Sequence, residues 1–61
     1  MTIKKHRESS NMTQTQLALK LGVTRTTVTM WEMGINYPTV ENLIKLSEIF
    51  NCTIDELVKG E

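Results

Sequence analysis

This chain of 61 residues has one cysteine, one proline, one histidine, three glycines and no formal net charge. A single cysteine, Cys52, excludes an internal disulfide and fits a reducing compartment. The one histidine, His6, has no second ligand in view for a metal and no partner for acid–base work. No Gly-rich phosphate loop is present, nor any cluster of carboxylates beside a nucleophile, so the chain reads as no enzyme, with no cofactor and no small-molecule substrate. The N-terminus lacks an apolar run long enough for a signal peptide or a membrane span, which points to a soluble, cytoplasmic protein. With no linker, repeat or low-complexity stretch, residues 1–61 are expected to form one domain. Such a domain leaves no room for an effector pocket, so control by concentration or partner proteins is expected. Folding at this size hides only about 60% of the unfolded surface, and without disulfide or metal a packed helical core must do the stabilising.

The zero net charge conceals a division. Residues 1–31 carry Lys4, Lys5, Arg7, Lys20 and Arg25 against Glu8, a net of +4. Residues 32–61 carry Lys45 and Lys59 against Glu32, Glu41, Glu48, Asp55, Glu56 and Glu61, a net of −4. Such asymmetry suggests a polyanionic partner for the basic half, the alternative being an ordinary scatter of solvated charge.

Helix starts are marked at four places by a threonine N-cap, with an apolar residue or proline before it and an apolar residue four positions after it. They are Met12-Thr13 with Leu17, Val23-Thr24 with Val28, Pro38-Thr39 with Leu43, and Cys52-Thr53 with Leu57. Thr13 with Gln16 and Thr53 with Glu56 also have capping-box spacing. Asn11, Gly22, Gly34 and Asn51 fall where a chain leaving a helix turns left-handed. These signals predict helices near 2–9 and at 14–21, 25–33, 40–50 and 54–59, with Pro38 extending the segment before the fourth. Apolar spacing assigns buried stripes to Leu17, Ala18 and Leu21; Val28 and Trp31; Leu43, Leu46 and Phe50; and Ile54, Leu57 and Val58. Met12, Met30 and Met33 are scattered, as core fillers are, rather than gathered into a binding groove.

The second and third helices are short and joined by Leu21-Gly22-Val23-Thr24, with small Ala18 where they must cross closely. That is the pattern of a helix-turn-helix. Arg25, Thr26 and Thr29 project from the third helix away from its buried stripe, with Met30 beside them. Thr13-Gln14, Leu17-Ala18, Leu21-Gly22-Val23-Thr24, Trp31-Glu32, Pro38-Thr39 and Asp55-Glu56-Leu57 together resemble the Cro/CI-type (XRE) helix-turn-helix family of bacterial and phage transcriptional regulators. The resemblance runs from Ile3 to Leu57. It implies an all-α, compact, five-helix, lambda-repressor-like DNA-binding domain, operator DNA as ligand, and a homodimer.

Carried onto this sequence, the resemblance implies that Gln14 touches a phosphate and braces Arg25. It implies base-edge contacts from Arg25, Thr26, Thr29 and Met30, a phosphate or base contact from Thr24, and a phosphate contact from the loop at Asn36. The chemistry agrees: arginine grips guanine O6 and N7 with two hydrogen bonds, threonine offers a hydroxyl and a methyl, and a helical N-terminus offers free N–H groups to phosphate. Arg7 and Glu32 match a pair that joins the first helix to the end of the third, and are expected to form an internal ion pair. His6 stands where the family has an apolar residue, so the first helix either packs loosely or takes the ring part-buried and neutral. Met30 either touches a thymine methyl or covers Trp31.

The expected function is a sequence-specific transcriptional regulator, a repressor, reading an inverted-repeat operator with helix 25–33. The rival is a protein-interaction module such as an antitoxin or accessory subunit. Because one helix reads few base pairs, a two-fold homodimer is expected. Its contact is placed on helix five and the end of helix four, at Ile49, Cys52, Ile54 and Val58, unless these four are all buried within the monomer.

Overall fold

Five α-helices run through the computed structural model: α1 (Ile3–Ser9), α2 (Gln14–Leu21), α3 (Arg25–Met33), α4 (Val40–Phe50) and α5 (Ile54–Lys59). The described residues are 1–59, and they contain no strand. Glu61, counted above in the acidic half, lies outside them, as does Gly60. No helix among the described residues is long and apolar enough to cross a membrane.

The caps explain the boundaries. Thr13, Thr24 and Thr39 each accept, through the side-chain oxygen, the N–H three residues on, from Gln16, Thr27 and Asn42. Both capping boxes form: the Gln16 side chain accepts from Thr13 N–H and that of Glu56 from Thr53 N–H, each at 2.8 Å. At the other ends Asn11, Gly22, Gly34 and Asn51 all have positive φ. Each closes the same pair of bonds. At Gly22 these run from Val23 N–H to the Ala18 carbonyl and from Gly22 N–H to that of Leu19, so the last carbonyls of α2 are satisfied.

The core is Ile3, Leu17, Ala18, Leu21, Val28, Trp31, Leu46 and Leu57. Ala18 is 3% exposed under α3, which lets α2 and α3 cross closely. Arg7 fastens α1 to this pair. Its Nε donates to Glu32 Oε2 at 2.7 Å and its Nη1 to the Met12 carbonyl at 2.8 Å, and the two charged side chains are 11% and 4% exposed. The hydrogen bond that Arg7 donates to Glu32 raises the Arg7 pKa above its ordinary value, outweighing the opposing effect of burial.

Three expectations need correction. The stripe on α5 is narrower than the spacing suggested. Leu57 is fully buried, but Ile54 is 38% and Val58 45% exposed, because a helix of one and a half turns at the rim turns only one residue inward. On α4, Leu43 and Phe50 are only half-buried, leaving Leu46 as its buried residue. Met33 is 68% exposed and fills no core, whereas Met12 packs against it.

The N-terminal segment is tied down. Thr2 N–H donates to the Leu57 carbonyl at 2.9 Å, and the Thr2 hydroxyl donates to the Glu56 carbonyl at 2.9 Å instead of capping α1. His6 is half-buried, stacked on Phe50 at 5.6 Å between ring centroids, with Nδ1 3.0 Å from the Thr2 carbonyl. Of the two arrangements open to His6, the part-buried ring is the one present.

Candidate nucleic-acid interface

The exposed side of α3 begins with the cap. Thr24 Oγ1 accepts from Thr27 N–H at 3.2 Å and lies 2.9 Å from Thr27 Oγ1, so this hydroxyl is already engaged in the turn. Arg25 and Thr26 follow, both exposed. Turning by about 100° per residue, a helix brings Arg25, Thr29 and Glu32 onto one stripe, at spacings of four and three. The N-terminus of α2 faces that stripe.

Gln14, the first residue of α2, is the meeting point. Its Oε1 accepts from Arg25 Nε at 3.3 Å and from the Thr29 hydroxyl at 3.1 Å. Its Nε2 donates to Glu32 Oε1 at 3.0 Å. The buried pair of Arg7 and Glu32 is thereby joined, through one amide, to two side chains on the exposed side of α3. Thr29 also reaches the Arg25 carbonyl at 3.1 Å, bonding back into its own helix.

A second contact closes the far end of α3. Asn36 Nδ2 donates to Met30 Sδ at 3.2 Å, and the N–H groups of Ile35 and Asn36 both point to the Met30 carbonyl, at 2.9 and 3.5 Å. Met30 is half-buried and clipped by the loop. Of the seven candidate residues, Gln14, Arg25 and Thr29 are in mutual contact, Met30 pairs with Asn36, and Thr24 and Thr26 stand at the start of α3. Lys4, Lys5 and Lys20 are exposed, whereas Arg7 is committed to Glu32.

Glu32, expected from the sequence only as the partner of Arg7, also accepts from Gln14. The signal was available in the 25, 29, 32 spacing, which puts the carboxylate on the same stripe as the two residues Gln14 touches. Among the described residues no group of His, Cys, Asp or Glu could hold a metal ion.

The family model described as "Helix-turn-helix" matches residues 3–57. The chain is 49% identical over 55 residues to the HTH-type transcriptional activator BcrR of Enterococcus faecalis, covering 90% of this chain and 27% of that protein. It is 39% identical over 51 residues to the cryptic phage CTXphi transcriptional repressor RstR of Vibrio cholerae, covering 84% of this chain and 46% of RstR. To the repressor protein C2 of Salmonella phage P22 it is 32% identical over 59 residues, covering 97% of this chain and 27% of C2. The chain thus spans between about a quarter and a half of the length of these relatives. No solved structure matches it.

Proposed function

This chain belongs to the Cro/CI-type helix-turn-helix family, and from that premise we propose that it binds double-stranded DNA and regulates transcription, with α3 as the base-reading helix. The family is one of transcriptional regulators, in keeping with the expectation that the chain is not an enzyme. The observation that carries the proposal is the stripe of exposed Arg25 and half-buried Thr29 held by Gln14 across the α2–α3 turn. In the major groove, with Arg25 Nε engaged by Gln14, the two terminal nitrogens of its guanidinium remain to fork onto guanine O6 and N7. Thr26 offers a methyl or hydroxyl to the neighbouring base. Gln14 keeps a second amide hydrogen for a phosphate, and Thr24 and Asn36 flank the helix as further backbone contacts.

The finer reading is a cytoplasmic repressor acting as a two-fold dimer on an inverted repeat. RstR and C2 are named repressors, BcrR an activator. Successive major grooves on one side of the duplex put the half-sites about 10 base pairs apart, centre to centre. For the dimer contact, Ile54 and Val58 offer exposed apolar area one helical turn apart, while Ile49 and Cys52 already pack against the core.

The rival reading, a protein-interaction module such as an antitoxin or accessory subunit, draws support from Met33, Ile35, Tyr37 and Val40, each 60% or more exposed around the α3–α4 loop. Titration with random duplex DNA at two salt concentrations separates the two. A DNA reader binds and weakens as salt rises, because each neutralised phosphate releases counterions. Absence of binding at low salt would favour the protein-interaction module.

A further inference from the structure

Glu32 accepts three hydrogen bonds at the foot of the α3 stripe: two from Arg7, at 2.7 Å from Nε and 3.3 Å from Nη2, and one from Gln14 Nε2 at 3.0 Å. As the anion paired with Arg7 it can only accept, so it holds the amino end of the Gln14 amide and not the carbonyl end. This fixes which end of Gln14 faces the stripe. The carbonyl oxygen is turned to Arg25 Nε and the Thr29 hydroxyl, both donors. With the amide reversed, two acceptors would meet at Glu32 and an NH2 would meet the Arg25 donor. Among the described residues no other group hydrogen-bonds the Gln14 side chain, and of these partners Glu32 is the fixed one, its side chain 4% exposed and held by Arg7 while Arg25 is exposed, so Glu32 sets the sense of the amide.

We infer that Glu32 is a positioning residue for base recognition: through the sense of the Gln14 amide, it fixes the direction in which Arg25 presents its guanidinium to the groove. Arg7 Nε takes Oε2, while on Oε1 the Gln14 bond at 3.0 Å is shorter than that of Arg7 Nη2 at 3.3 Å, so the amide is a principal partner of that oxygen. The inference rests on the proposed reading of DNA by α3.

The test compares affinity for a selected operator with affinity for the same operator altered at the base pair read by Arg25. In Glu32→Gln, the new amide turns its oxygen to Arg7 Nε and its NH2 to Gln14, which inverts the Gln14 amide and sets its NH2 against Arg25. Discrimination at that one base pair is expected to fall on the order of tenfold, beyond any loss common to all sequences. Gln14→Met, which leaves the Arg7–Glu32 pair in place, is expected to lose the same discrimination. In an Arg25→Ala background neither change has a further effect there. Equal weakening on every sequence, with Arg25→Ala still flattening discrimination, overturns the positioning role alone. Unchanged discrimination in Arg25→Ala overturns the base-reading proposal itself. Should Glu32→Gln fail to fold, solution NMR of the native protein decides: cross-peaks placing the Gln14 NH2 against Arg25 rather than beside Arg7 overturn the inference.

Discussion

Cys52 shows how much a side chain's behaviour depends on its position. It lies half-buried between α4 and α5. Burial pushes its thiol above the ordinary range, and the nearby Glu56 carboxylate adds to the shift. The nucleophile is the thiolate, so near neutral pH Cys52 is expected to react with iodoacetamide several-fold more slowly than a free thiol in the same solution. A rate equal to that of the free thiol would mean that the turn is open. The pairing of Arg7 with Glu32 and the bracing of Arg25 by Gln14 were legible in the sequence, because the family resemblance extends to those positions. Packing of Thr2 and His6 was not. Their partners Glu56, Leu57 and Phe50 lie more than forty positions away, and no local spacing encodes such contacts.

Helices in this chain are defined at their ends more than along their lengths. Each is short, from six to eleven residues, and would be marginal alone. The boundaries were legible because threonine at the start and glycine or asparagine at the finish are chemical requirements of a helix end. The α5 stripe was not, because periodicity says which residues share a face and not how much of that face a neighbour covers. Gly22 gives a test free of packing. Its φ is +73°, and a methyl group built there meets nothing within 4 Å. Gly22→Ala should therefore lower stability by about 1–2 kcal/mol through backbone strain alone. Denaturant unfolding measures it. A neutral result would mean that the α2–α3 turn relaxes out of the left-handed region. Thr13→Ala, which removes a cap and half of a capping box, should cost about 1 kcal/mol in the same measurement.

At the scale of the whole molecule, the described residues of the basic and acidic halves are folded into one unit measuring 24 × 23 × 20 Å, with Arg7 of the basic half bound to Glu32 of the acidic half. That bond removes one cation from those available to a phosphate backbone and leaves Lys4, Lys5, Lys20 and Arg25 in the basic half, all exposed, while Lys45 and Lys59 lie beside Glu41 and Asp55. Weak non-specific attraction is expected from so few charges, and two-fold association on an operator would compensate. Val58 is 45% exposed on α5, so Val58→Asp should leave the helical circular dichroism signal intact while weakening self-association in sedimentation and operator binding with it. Unchanged association in that variant would move the contact elsewhere, the exposed Val40 and Ile44 of α4 being the next surface to try. The central claim, that α3 reads bases through Arg25, is tested most directly by selecting binding sites from random duplex DNA with the native protein and with Arg25→Ala. The native protein should enrich an inverted repeat with half-site centres about 10 base pairs apart, and the variant should lose preference at one base pair in each half-site while keeping the spacing. Enrichment of no sequence by the native protein, or of the same sequence with undiminished preference by Arg25→Ala, would contradict it.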